Sequence, residues 1–257
     1  MFTVITVSFN ASDLIANCIQ SVNEQDYPNI EHVFIDGGST DGTVEIIKAQ
    51  SAKRTYLQSK PDWGIYDAMN IGIARAKGQY IAIINADDRL ADPFVLSKVA
   101  ETFECSDAKI VFGGLQFETS EGKPMEVYVP KAFQKGQSFR KAWQAAHPAM
   151  FVRKEAYNEG GVFNTSYAIT ADLDLQVRFL EVLNFKSARV DKVLAVMRVG
   201  GVSGRLNSKF RAVFETVLIF SEQRLFDQGL QFMWNRYKYA PQALIKYLRR
   251  RCAKRMR

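Results

Sequence analysis

Asp87 and Asp88 stand side by side two residues beyond the apolar run 80–84, after Asn85 and Ala86, and Asp36 closes a second apolar run at 32–35. Neighbouring carboxylates repel each other, so a pair at the end of a strand is most easily understood with a cation between them. Oxygen ligands of this kind suit Mg2+ or Mn2+, which bridge one or two carboxylates to substrate phosphates. Taken alone, the pair reads more readily as a solvated turn that caps the next helix, because Asp is common in turns. A third acid at the end of another strand shifts the balance towards a site. Other phosphate-binding devices can be tested directly. No G-x-G-x-x-G follows the first strand, which argues against a dinucleotide oxidoreductase, and no G-x-x-x-x-G-K-[ST] occurs, which excludes a P-loop. Any phosphate bound here is held through a metal ion. The glycine-rich stretch 37–43 reads mainly as a tight turn.

The elements that must carry these acids alternate. Residues 3–8 read as a strand, and Leu14, Ile15, Cys18, Ile19 and Val22 recur at helical spacing with Ser12 as N-cap. A short strand at 32–35 leads through the turn 37–42 into a helix carrying Val44, Ile46 and Ile47. Ile65, Ala68, Met69, Gly72, Ile73 and Ala76 form another helix face, and 80–84 is a strand buried on both sides. Asp92 and Pro93 are read as opening a helix that runs through Phe103, and 109–112 is a further strand. This order predicts an α/β fold, with a Rossmann-like, mostly parallel sheet flanked by helices. Ligands of such sheets bind beyond the carboxyl ends of the strands, where the acids lie. After Gly113 the pattern becomes irregular. A helix resumes over 172–183, and a long amphipathic stretch covers about 209–230. The expected division is a 1–208 unit, with a nucleotide-binding half at about 1–113 and an acceptor half at about 114–208. A helical, basic extension follows at 209–257.

The chain has 257 residues, 47% hydrophobic, 12% aromatic and 24% charged, as expected of one good-sized core with an appendage. Its net charge of +7 is unevenly spread. Residues 236–257 hold nine Lys or Arg and no acid, leaving 25 basic against 27 acidic residues elsewhere. Aromatic and aliphatic residues (Tyr237, Tyr239, Leu244, Ile245, Tyr247, Leu248) accompany the run Arg249, Arg250, Arg251, Lys254, Arg255 and Arg257. That mixture suits an anionic membrane surface, with a solvated charge run or a nucleic-acid contact as alternatives. Cys18, Cys105 and Cys252 show no metal or disulfide spacing. With no secretory leader and no span of about 18–20 apolar residues, a cytoplasmic protein peripheral on the inner face of the membrane is expected.

Five motifs occur in order: Val4-Ile5-Thr6-Val7-Ser8-Phe9-Asn10, Asp36-Gly37-Gly38-Ser39-Thr40-Asp41-Gly42-Thr43, Gly64-Ile65-Tyr66-Asp67-Ala68-Met69-Asn70, Asn85-Ala86-Asp87-Asp88 and Ala171-Asp172-Leu173-Asp174-Leu175. Together they resemble the inverting family 2 glycosyltransferases of the GT-A fold, especially bacterial enzymes of surface-polysaccharide and lipopolysaccharide assembly, over about residues 3–205. The resemblance implies a metal-dependent transfer of one hexosyl or N-acetylhexosaminyl unit, with inversion, from a nucleoside-diphosphate sugar, most readily a UDP-sugar. The acceptor would be a hydroxyl of a saccharide or lipid-linked saccharide. It places Asp36 at the nucleobase with Val7 and Ser8 beside it. Asp87 and Asp88 match the DxD-type region that contacts ribose and the metal-bound diphosphate, although Asn85 stands where its first Asp is usual. Asp67 and Asn70 match polar positions over the donor. Asp172 matches the general base, although the Glu that usually precedes it is Ala171, and Asp174 is the alternative.

This assignment is chemically coherent. A hydroxyl is a poor nucleophile, so a carboxylate takes its proton while a Mn2+ or Mg2+ ion offsets charge on the leaving diphosphate. Asp172 also reads as a first-turn acid facing a helix dipole, and both readings can hold together. His147, in the segment His147-Pro148-Ala149-Met150-Phe151-Val152-Arg153, could touch diphosphate, metal or acceptor, or be structural. Trp63 and Tyr66 could stack on a base or sugar, or be core. Gly200-Gly201-Val202-Ser203-Gly204-Arg205 could close over the donor with Arg205 near phosphate, or be a plain surface loop. The Q-x-x-R-W signature of processive relatives is absent. Two rival classes are a sugar-nucleotide nucleotidylyltransferase and a non-enzymatic nucleic-acid binder acting through the tail. The first wants a glycine-rich, Arg-containing loop after the first strand, where Phe9, Asn10, Ala11 and Ser12 stand. The second leaves the strand-end acids unexplained, and no nucleic-acid partner is expected.

Overall fold

The computed structural model describes residues 1–51, 54–199 and 206–237, without the side chains of 206–209 and 237. Arg205 and the basic run beyond Tyr237, both singled out in the sequence, lie outside the described residues.

Strand β1 (Phe2–Ser8) is buried at every position, as its unbroken run of apolar and Thr side chains requires. It pairs in parallel with β2 (Ile30–Asp36) on one side and β4 (Tyr80–Asn85) on the other, and β2 pairs in parallel with β3 (Thr55–Ser59). The register sets Ser8 opposite Asp36 and Val7 opposite Asn85, so three strand ends converge at one edge. Beyond β4 the sheet is mixed. Strand β8 (Met150–Arg153) runs antiparallel to β4 and to β6 (Ile110–Glu118), and β6 is parallel to β9 (Ser187–Arg198). The short β5 (Asp88–Leu90) pairs antiparallel with β9, and β7 (Pro124–Tyr128) hangs off β6.

Helices cover both faces. Helices α1 (Ile15–Asn23) and α4 (Val95–Glu104) bury apolar stripes on one side. Helix α3 (Ile65–Arg75), with α5 (Lys154–Gly160) and α6 (Ala171–Gln176), packs on the other. Helix α2 (Thr43–Gln50) follows the 37–42 turn. Two expected helix starts differ from what forms. Helix α1 has Leu14 at its N-cap with no side-chain cap, two residues beyond the expected Ser12, whose backbone N–H donates to Asp41. Pro93 lies before α4, whose N-cap is Phe94, and Asp92 accepts the Phe94 N–H at 2.8 Å.

The helix expected over 172–183 is α-helical only to Gln176 and continues as a π-helical segment, Val177–Val182. The amphipathic stretch of the extension is two helices, α7 (Leu206–Glu222) and α8 (Phe226–Tyr237), broken at 223–225, where Arg224 takes a left-handed conformation. They are not detached from the body. Ile219, Phe220 and Phe232 belong to the same buried cluster as Phe139, Trp143 and Phe179.

Candidate active site

The loops after β1 and β2 are stitched into one unit. Asn10, in a left-handed conformation, accepts the Thr40 N–H at 3.0 Å and donates its own N–H to Ser39 Oγ at 2.8 Å. Asp41 accepts the Ser12 and Thr43 N–H groups, and Thr43 Oγ1 accepts from Ala11. Asp36 sits at the centre, fully buried. Its carboxylate accepts from Ser8 Oγ (2.9 Å), Ser39 Oγ (2.5 Å) and Ser59 Oγ (2.7 Å), and from the Gly38 and Ser39 N–H groups. Burial alone would raise its pKa; the donors outweigh it and hold the carboxyl below the ordinary range. Gly38 turns at φ 85°, a conformation that costs a side-chain-bearing residue but not glycine. The unit displays Phe9, 66% exposed, from the end of β1; the sequence reading did not single it out as a site residue. Trp63 is 96% exposed ahead of α3. Val7 is buried in β1 and lines the site only through its backbone, whose carbonyl accepts the Ala86 N–H at 3.1 Å.

The second group of residues surrounds the end of β4. Asp88 is 2% exposed, and Asn85 Nδ2 donates to its Oδ2 at 3.1 Å. The same Asn85 nitrogen lies 3.0 Å from His147 Nε2. Asp88 Oδ1 and Asn85 Oδ1 are both buried without a hydrogen-bond partner, an expensive arrangement unless a ligand completes it. Burial, reinforced by the like charge of Asp87, pushes Asp88 well above the usual carboxylate range; burial also raises Asp87, against the positive charge of Arg198. Burial pushes His147 down to about 4, so its ring is neutral near pH 7. The two orphaned oxygens, one from a carboxylate and one from an amide, are of the type that fits a hard divalent cation, while the His147 Nε2 lone pair is taken up by the Asn85 amide. Among the described residues no group of three or more His, Cys, Asp or Glu side chains is arranged so that it could hold a metal ion by itself. A cation here would therefore need oxygens from a bound phosphate to complete its shell.

The third group is at the start of α6. Asp172 accepts from Gln144 Nε2 at 3.0 Å and from the Leu173 N–H at 2.9 Å, and Tyr66 OH approaches to 3.5 Å. Gln144 lies three residues before His147, so one segment touches both carboxylate centres. Burial raises the Asp172 pKa, opposed by the Leu173 N–H and by the charge of Arg236 at the end of α8. Asp172 keeps some solvent exposure, whereas Asp174 is 2% exposed and paired with Arg178 Nε at 2.9 Å. Arg178 also donates to the Gly160 and Val162 carbonyls, so Asp174 is committed to a buried structural network. Glu215 of α7 accepts the N–H groups of Ala168, Ile169 and Thr170 within 3.0 Å and clamps the segment entering α6.

Other expected donor contacts face the protein. Asn70 exchanges two hydrogen bonds with the Phe163 backbone, at 2.8 and 2.9 Å, and Asp67 accepts the Trp63 N–H at 3.1 Å. Tyr66 stacks on Phe163 and donates to the Ile169 carbonyl. The sequence reading missed Gln144, Arg198, Glu215 and Arg236, whose roles arise from contacts far along the chain. Phe9 alone had a local signal, an aromatic at a strand end.

A parallel half-sheet with acids at its strand ends, continued by mixed strands, is the GT-A architecture. Residues 3–161 match the family model described as Glycosyl transferase family 2, and the chain belongs to that family. It is a glycosyltransferase. A PGL/p-HBAD biosynthesis glycosyltransferase of Mycobacterium tuberculosis is 29% identical over 182 residues, 69% of each chain. An uncharacterized glycosyltransferase of the same organism is 31% identical over 177 residues, 68% of this chain and 67% of that one. Among solved structures, S. aureus TarS 1–349 in complex with UDP-GlcNAc superposes with TM-score 0.70 at 16% identity, over 93% of this chain and 73% of that one. The chain spans 44% of the longer TarS chain. A Pyrobaculum calidifontis mannosyltransferase in complex with GDP-Man and Mn2+ gives TM-score 0.64 at 18% identity, over 90% of this chain and 69% of that one. Family membership sets aside the nucleotidylyltransferase and nucleic-acid-binding alternatives as its main activity.

Proposed function

We propose that the chain transfers a single sugar from a nucleoside-diphosphate sugar, with a UDP-sugar first among candidates, to a saccharide hydroxyl with inversion. The observation that carries this reading is the pair of buried, unpartnered oxygens, Asp88 Oδ1 and Asn85 Oδ1, at the strand edge where donors bind. The 37–43 unit shapes the base pocket: Asp36 holds its loop and Ser39, and Phe9 offers a ring face on which a base can stack. Asp88, Asn85 and Asp87, with His147 alongside, would hold Mn2+ or Mg2+ against the diphosphate. A bound cation offsets negative charge on the leaving group. Arg198 adds positive charge beside Asp87 and is a further candidate for a phosphate oxygen.

Asp172 accepts the acceptor hydroxyl's proton, and the oxygen attacks the anomeric carbon as the bond to the diphosphate breaks. Gln144 and the Leu173 N–H orient the carboxylate for this. With one base and no protein nucleophile, displacement is direct and the anomeric centre inverts. This reading keeps 1–208 as the transferase unit and 209–257 as a supporting extension. Its basic end would hold the enzyme on an anionic membrane face near a lipid-linked acceptor. No helix among the described residues is long and apolar enough to cross a membrane. Release of UDP from a panel of UDP-sugars tests the proposal. Release should require Mn2+ or Mg2+ and stop in excess EDTA, and full activity in EDTA would refute the metal role.

A further inference from the structure

The extension carries an apolar surface that the body does not cover. On α7, Phe210, Phe214 and Val217 are 73%, 64% and 45% exposed; on α8, Phe226, Leu230 and Trp234 are 60%, 59% and 72% exposed. The spacing is i, i+4, i+7 on one helix and i, i+4, i+8 on the other, so each set forms a single stripe. Phe220 of α7 packs against Phe232 of α8, and a Cβ on Gly229 would meet Phe220 at 2.6 Å. The three-residue break makes the pair a helical hairpin closed along this seam. Phe214 also borders an open groove of about 460 Å³ with Tyr167 and Leu218. Exposed aromatics in such number mark a contact surface.

We infer that the apolar stripes of α7 and α8 are a membrane-insertion face that seats the enzyme on an anionic bilayer, with the positive charge of the sequence after Tyr237 adding attraction to the headgroups. This rests on the tail reading above only for its charge, and not on the reaction. The occupant is argued from charge. The stripe leads directly into the 236–257 run of nine cations without an acid, so lipid headgroups complete both surfaces at once. The acids of these helices are accounted for. Glu215 is bound to Arg211 and the 168–170 segment, Glu222 accepts from Tyr167 OH, and Asp227 stands in the first turn of α8.

The test is flotation of the full chain with vesicles of phosphatidylcholine, with or without about one-third phosphatidylglycerol, in low and high salt. Turnover of sugar nucleotide without vesicles is read separately, so failure of the enzymatic reading shows there alone. The variant F226Q/L230Q/W234Q should keep that turnover and bind anionic vesicles at least about tenfold more weakly, losing all residual binding in high salt. The variant R249Q/R250Q/R251Q should lose the salt-sensitive part and keep the rest. A measurement needing no stripe variant uses brominated lipid in a W63F background. Trp143 is buried, so quenching there reports insertion of Trp234. Unchanged vesicle binding by the triple stripe variant, or no quenching, would overturn the inference. A dimer that the stripe variant fails to form, without vesicle binding by either protein, would assign the face to a second copy.

Discussion

Asp172→Asn preserves the size of the side chain and its bond from the Leu173 N–H but removes the proposed proton acceptor. Turnover should fall by about 10²–10⁴, with donor affinity nearly unchanged, because the donor-side acids belong to other strands. Steady-state kinetics alongside donor titration separates the two; retained turnover, or donor binding lost with it, would reassign the base. Because burial raises the Asp172 pKa, the acid limb of kcat should lie above the ordinary carboxylate range, with activity rising as the group deprotonates. Asp174→Asn should act differently, leaving turnover of the folded enzyme largely intact while costing about 3–5 kcal/mol of stability, because Arg178 loses its buried partner. Asp36 supplies a pH signature of its own. Its folded pKa is depressed, so its contribution to stability is complete above the unfolded value of about 3.9 and is lost as pH falls through the folded value. Denaturation of Asp36→Asn against wild type should show a gap at neutral pH that closes in acid. Residues of this kind were legible when they sat at strand ends in their own motif. Gln144 and Arg198 were not, because they meet Asp172 and Asp87 from 28 and 111 positions away, and no local pattern marks such a meeting.

At the scale of elements, the parallel half of the sheet was readable because β1, β2 and β4 are continuous apolar runs divided by helical periods. Strand β5 was not, since three residues, Asp88 to Leu90, carry no period. Its pairing with β9 nevertheless buries Asp88 and fixes its direction. The amphipathic stretch expected over about 209–230 was read without a break because hydrophobic spacing persists through 223–225, where the backbone turns at Arg224. That turn sends α8 back along α7, and Arg236 at its end acts on Asp172. Glu215→Gln removes charge from a carboxylate that holds three N–H groups two residues before the base. It should lower kcat by about ten- to a hundredfold with donor affinity within about twofold, and Glu215→Asp should restore part of the loss. Equal loss in donor affinity would make Glu215 merely structural. Gly78 tests the packing of the β4 start against β1. A Cβ there would lie 2.5 Å from the Thr3 nitrogen, which backbone cannot relieve cheaply, so Gly78→Ala should lower stability by about 1–3 kcal/mol or more in thermal unfolding.

Across the whole molecule, the two halves of the sheet bring an acid-rich strand edge and a separate carboxylate on α6 to one region, and the extension braces the latter. Arg236 at the far end of α8 reaches Asp172 electrostatically, and Glu215 clamps the approach to it. The account depends most on Asp88 and Asn85, whose unpartnered oxygens are the proposed seat of a cation shared with a diphosphate. Calorimetric titration of UDP into the wild-type chain and into Asp88→Asn, each with Mn2+ and with EDTA, examines that dependence directly. Tight binding by wild type only with Mn2+, weakened by about a hundredfold or more in the variant or in EDTA, is the expected result. Equal UDP affinity in all four titrations would contradict a metal-bridged donor site at the end of β4.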